Sequence, residues 1–211
     1  MKKLFIVLLA LIAFSCTRSS KQSFEQNSFV KSNFNNNEVE YMHQIVKSFD
    51  SIVLSTSSKT DINEAYNELF SEENIGKDFF KLGFNKLSNR ALVSNPAFST
   101  IWKYEYGYDR LTKDTLSVSL IINLNGKYFK LLENVSKGNK ALTSYVHYIH
   151  EVGAIPPTHN YFFFSNNVDL NYNNEVYRLL AAVHYISLSS YKDFVSGKGH
   201  ESIESNFTLN E

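Results

Sequence analysis

Apolar side chains recur along this chain in blocks of helical period, separated by short polar breaks. Val39, Met42, Val46, Phe49 and Val53 are spaced 3, 4, 3 and 4, with Ile45 and Ile52 beside them. That spacing predicts an amphipathic helix, with Asn36 or Asn37 as N-cap and Glu38 in the first turn. Residues 55–60 break the pattern. Asp61-x-x-Glu64 then reads as a capping-box-like start to a helix using Ile62, Ala65, Tyr66, Leu69 and Phe70. Ser71 is placed to cap a further helix carrying Ile75, Phe79, Phe80 and Leu82, and Asn95-Pro96 to open another. Towards the C-terminus, Leu142, Tyr145, Val146, Ile149 and Val152 predict a helix ending at Gly153, ahead of Pro156-Pro157. Asn173 or Asn174 caps the last one, with Val176, Leu179, Leu180, Val183 and Ile186 on its core face. Tyr161 to Phe164, four aromatics in a row, are too apolar for an exposed loop and are expected on the core.

The middle of the chain supports two readings. Leu116, Val118, Leu120, Ile122 and Leu124 alternate, and Asn125-Gly126 is a strong hairpin signal. A two-residue turn there sets Ile122 opposite Phe129, and the alternating Trp102, Tyr104, Tyr106 and Tyr108 could supply a third strand. Equally, Leu116, Leu120, Leu124, Tyr128, Leu131, Leu132 and Val135 form a helical stripe, with Asn125-Gly126 and Gly138 as helix ends. The flanking helices favour the second reading. The expected fold is mainly α, a single globular helical domain over 38–191. The alternative is α+β, with a small antiparallel meander around 101–132.

Outside this block the patterning changes. Residues 17–37 are polar, with isolated Phe24, Phe29 and Phe34, and read as a flexible tether; 192–211 read as a polar tail. Leu4 to Phe14 are an unbroken apolar run behind Lys2 and Lys3. Eleven such residues span roughly 16 Å as helix, against a hydrocarbon core of about 30 Å. The run is therefore a signal-peptide core and not a membrane span.

The stretch Ala13-Phe14-Ser15-Cys16 resembles the lipobox of bacterial secreted lipoproteins. Ala13, where Leu is usual, fits the looser lipoboxes of the Bacteroidetes type. The resemblance covers 16 residues. It implies a signal peptide over 1–15, and Cys16 as the first mature residue, carrying a thioether-linked lipid with palmitate-type acyl chains. Thr17, with no acidic cluster after it, implies the outer membrane and its periplasm-facing leaflet. Cys16 is the sole cysteine, so its acylation leaves no thiol for a nucleophile, disulfide or thiolate metal site.

Charge narrows the function classes further. Lys+Arg and Asp+Glu both number 21, so no basic footprint for nucleic acid is present. Loss of residues 1–15 removes two lysines and no acid, leaving the mature chain near −2. Gly76-Lys77, Gly126-Lys127 and Gly197-Lys198 lack the rest of a phosphate loop, and Ser196 lacks the second glycine of a hydrolase elbow. His147 and His150 sit three apart, with Glu151 beside them. They are weak metal candidates, with His159 or His184 as possible completion, but Ala154 stands where a zincin motif needs histidine. Asp50-Ser51-Ile52 and Asp114-Thr115-Leu116 resemble, weakly, the O-glycosylation sequon of exported Bacteroidetes proteins. The aromatic run Trp102, Tyr104, Tyr106 and Tyr108 is the candidate binding surface, since exposed Trp and Tyr serve as anchors for partners and sugars.

These readings converge on a non-catalytic envelope lipoprotein without cofactor or metal. Its partners are the membrane, through the lipid, and another envelope protein in an immunity-type or masking role. The alternatives are a glycan-binding lipoprotein using the aromatic run, and a hydrolase whose site the sequence conceals.

Overall fold

The computed structural model describes residues 21–71, 94–108, 116–155 and 170–195. Among the described residues six α-helices dominate: α1 (Ser28–Asn33), α2 (Asn36–Thr56), α3 (Ile62–Leu69), α4 (Lys127–Val135), α5 (Lys140–Val152) and α6 (Glu175–Val195). Two strands, β1 (Trp102–Tyr108) and β2 (Leu116–Ile122), pair antiparallel between α3 and α4. The fold is thus mainly helical with a small two-stranded sheet. Among the described residues, no helix is long and apolar enough to cross a membrane.

Asparagines set the helix starts. Asn27, Asn35 and Asn139 each accept a backbone N–H from the third residue on, at 3.0–3.1 Å, and Asn174 accepts from Val176 at 2.9 Å. Each meets one of the donors that a helix N-terminus leaves unpaired. Asn35, one residue before the expected cap, forms a full capping box with Glu38. Asp61 caps α3 as its spacing implied, accepting from Asn63 and Glu64. Gly153 ends α5 at φ 79°, the left-handed conformation that glycine adopts without strain. Asn95 and Pro96 precede only a 3₁₀ turn, Phe98–Thr100.

The core forms where α2 and α6 pack together, with α3 against α2 and the sheet against α6. Tyr41, Met42, Ile45, Phe49 and Val53 of α2 are buried with Leu179, Leu180, Val183 and Ile186 of α6. Phe49 stacks on Tyr185 at 6.2 Å, and Tyr66 of α3 on Tyr172 at 4.6 Å. Full burial of such an aromatic contributes about 1.5–3 kcal/mol.

Two expectations fail here, each for a visible reason. Residues 116–122 are strand, not helix, and their partner is the aromatic run: Trp102 faces Ile122, Tyr104 faces Leu120 and Tyr106 faces Val118. The helical stripe holds only from Tyr128 onwards, in α4. Asn125-Gly126 makes neither a hairpin nor a helix C-terminus. Gly126 is the N-cap of α4 at φ −74°, and a Cβ there would sit 2.6 Å from the Thr100 carbonyl oxygen. Glycine is needed for close approach, not for a turn. The second failure is the tether, which is folded from residue 22 onwards. A 3₁₀ turn over Phe24–Gln26 and then α1 bury Phe24, Val30 and Phe34 in the core. Gln22 bridges to Asn174, donating to the Asn173 carbonyl and accepting from the Glu175 N–H, both at 2.9 Å. α6 also runs to Val195, into the expected tail. The proposed helix after Ser71 and the aromatic run 161–164 lie outside the described residues, as do residues 1–20.

Candidate functional site

One chain of polar side chains crosses the interior beside this N-terminal segment. His43 and Asp50 lie seven residues apart on the same face of α2, and Glu175 and Arg178 three apart in the first turn of α6. Glu25 comes from the 3₁₀ turn and Tyr66 from α3. His43 Nε2 is 2.8 Å from Glu25 Oε1, and its Nδ1 is 3.5 Å from Glu175 Oε2. Glu175 is held in turn by the Phe24 N–H at 3.0 Å and by Arg178 at 3.4 Å. Arg178 also pairs with Asp50 at 3.2 Å and donates to the Tyr172 carbonyl at 2.7 Å. Tyr66 closes the chain by donating to Asp50 at 2.7 Å.

The ends of this chain differ in character. At the inner end, burial raises the Asp50 carboxyl above its ordinary range, although Arg178 and the Tyr66 hydroxyl pull the other way. Burial, with Asp50 nearby, pushes the Tyr66 phenol well above 10, so it stays protonated as the donor. At the outer end, the hydrogen bond from His43 is the main cause that lowers Glu25 to about 2. Glu25 is 60% exposed there, whereas Arg178 is 8% exposed. The inner half is structural in form, and the outer half meets solvent. Glu25 and His43 open onto a groove of about 370 Å³, lined also by Val30, Lys31, Phe34 and Glu40. The Phe24 ring packs on His43 at 5.0 Å and fixes the imidazole from one side.

The residues favoured by sequence lie elsewhere. Trp102 is 1% exposed, its indole N–H donates to Ser187 at 3.0 Å, and Tyr41 packs edge-on at 6.3 Å. It is a core residue, so the expected binding surface loses its central ring. Tyr104 is half-buried and stacked on Phe98 at 5.1 Å. The side chains of Tyr106 and Tyr108 lie outside those described. His147 and His150 are exposed on α5, with His150 over the Phe129 ring at 6.1 Å and 3.7 Å from Glu151. No third ligand joins them among the described residues. His184 is buried and bonded to Tyr145 at 2.8 Å, and His159 and Cys16 lie outside the described residues. Asp50 of the weak sequon is committed to Arg178 and Tyr66.

Glu25, His43 and Glu175 escaped the sequence reading because they come from three separate segments. Glu25 lay in the supposed tether, and His43 interrupts a helix that reads as apolar. Comparison of the chain with protein-family models, curated proteins and solved structures finds no match.

Proposed function

We propose that this chain is a lipid-anchored envelope protein, held at the outer membrane facing the periplasm, which acts by binding another envelope protein rather than by catalysis. The observation that supports the anchor most is the sole cysteine, Cys16, standing directly after the apolar run Leu4 to Phe14 and Ser15. Gln22, six residues on, already pairs with Asn174 at the start of α6. Six residues of extended chain reach at most about 20 Å. A lipid on Cys16 therefore holds the domain close to the bilayer, with its N-terminal face nearest the lipid. Several acyl chains, at about 0.8 kcal/mol per buried CH₂, make such an anchor stable.

A protein partner suits the opposite sort of surface, and α5 offers one. Tyr148 and Val152, four apart on its outer face, are 37% and 52% exposed. A partner that covers both removes their apolar surface from water. The glycan reading loses support, since it relied on an exposed Trp102. A photo-crosslinker at position 152 in intact envelopes tests the binding half. One discrete adduct, lost in Tyr148→Asp, is expected. No adduct above that from a crosslinker at exposed Lys137, on the α4–α5 connection, would contradict it.

A further inference from the structure

We propose that Glu25, His43 and Glu175 form a binding site for one divalent transition-metal ion, best suited to Zn²⁺, with an open coordination position facing the adjacent groove. One imidazole nitrogen and one oxygen from each carboxylate already lie within 4.8 Å of one another. Among the described residues this is the only such trio. Zinc bonds to nitrogen and oxygen of about 2.0–2.2 Å put tetrahedral ligands roughly 3.4 Å apart. Glu175 lies at Nδ1 of His43 and Glu25 at Nε2, so closing from 4.8 Å on one nitrogen needs up to about 1.4 Å of movement, with Glu25 swinging round to the Nδ1 side. Glu25, 60% exposed, has the room to make it.

The ligand set selects the ion. Imidazole with two carboxylates suits zinc, whereas calcium takes six to eight oxygens and magnesium prefers water and oxygen. Three protein ligands leave a fourth position, the pattern of open rather than closed zinc sites. Glu25 and His43 both line the groove, so that position faces it. Supporting contacts of the kind that orient metal ligands are also in place: Phe24 N–H and Arg178 on Glu175, and the Phe24 ring on His43. Charge agrees as well. The groove lining carries Glu25 and Glu40 with Lys31, and beneath it Glu175 and Asp50 pair with Arg178. This inference stands apart from the anchoring and partner readings, because a soluble or lipidated chain would bind the ion alike.

Calorimetric titration of the full chain, purified in detergent and stripped with chelator, tests the site with Zn²⁺ alone. One ion per chain should bind. His43→Ala and Glu25→Gln should each weaken binding by more than the roughly 10–100-fold that loss of a supporting contact costs. Far-UV circular dichroism checks that both variants fold, and Glu25→Gln keeps Phe24 in place should His43→Ala fail. The double variant His147→Ala/His150→Ala should bind as the parent does. Three results would overturn the proposal: no stoichiometric uptake by the parent, unchanged uptake in folded Glu25→Gln, or loss of uptake in the His147/His150 variant.

Discussion

Replacement of Trp102 probes the core more sharply than any other single change. The indole is fully enclosed, with Tyr41 edge-on at 6.3 Å, Phe98 at 6.0 Å and the Ser187 hydroxyl at 3.0 Å. Truncating a buried aromatic to alanine costs about 3–5 kcal/mol. Ser187, itself buried, also loses its donor, and a stranded polar group costs about 1–3 kcal/mol. Trp102→Ala should therefore lose about 5 kcal/mol, against a total stability of about 5–15 kcal/mol for a typical domain. Trp102→Phe keeps most of the ring volume and should lose about 2 kcal/mol, much of it from Ser187. Pairing Trp102→Phe with Ser187→Ala should cost about 1 kcal/mol less than the two singles added, because both ends of one hydrogen bond then go together. Urea denaturation followed by far-UV circular dichroism measures the parent and all four variants. Since Trp102 is the only tryptophan, its blue-shifted emission in the parent gives a separate check on burial. Loss of under 1 kcal/mol in Trp102→Ala, or native emission like that of the unfolded chain, would refute the reasoning.

Three further changes test the other supports. Phe24→Ala should cost about 3–4 kcal/mol in urea titrations, where a flexible tether would tolerate it, and should speed hydrogen exchange at the Phe24 and Glu175 amides. Arg178→Ala leaves Asp50 without its ion pair in a mostly buried setting and should cost about 3–5 kcal/mol by the same titration. Glu38→Ala removes the α2 capping box and the Lys127 ion pair at 2.7 Å, for about 1–2 kcal/mol at neutral pH. Burial alone would raise the Glu38 carboxyl, but Lys127, the Asn35 N–H and Thr100 outweigh it and hold the carboxyl below its ordinary 4.5. Its contribution is therefore complete above about pH 4.5 and fades as pH falls through the lowered folded value. The gap between parent and Glu38→Ala stability curves should close in acid, and a gap that widens there would contradict the assignment.

The long helices were legible because each has one continuous apolar face of helical period. Met42 to Val53, Leu142 to Ile149 and Val176 to Ile186 occupy the core as spaced, with Val39 packed at its edge, whereas Val152, expected on the same stripe, is exposed. Asp61 and Gly153 were legible because capping chemistry is local. The segment 22–34 was not, since a 3₁₀ turn and a six-residue helix bury only Phe24, Val30 and, just beyond, Phe34, too few for a period. Leu116, Leu120 and Leu124 satisfy both periods, so only the tertiary pairing with Trp102–Tyr108 separates strand from helix. Aromatic alternation at 102–108 allowed a strand only in the reading set aside for the helical one, and alternation alone does not say that the Trp102 side chain meets the core. The cluster of Glu25, His43 and Glu175 left no local trace. It exists because Gln22 docks on α6 and brings Glu25 to His43, a contact that no spacing in the chain encodes.

The anchoring claim rests on Cys16, and metabolic labelling with a fatty-acid analogue, combined with membrane fractionation, tests it most directly. The parent protein should incorporate label and sediment with the outer membrane. Cys16→Ser should incorporate none, and should either leave the membrane fraction or persist as the unprocessed precursor. Equal labelling of parent and Cys16→Ser, or a parent that carries no label, would contradict the account.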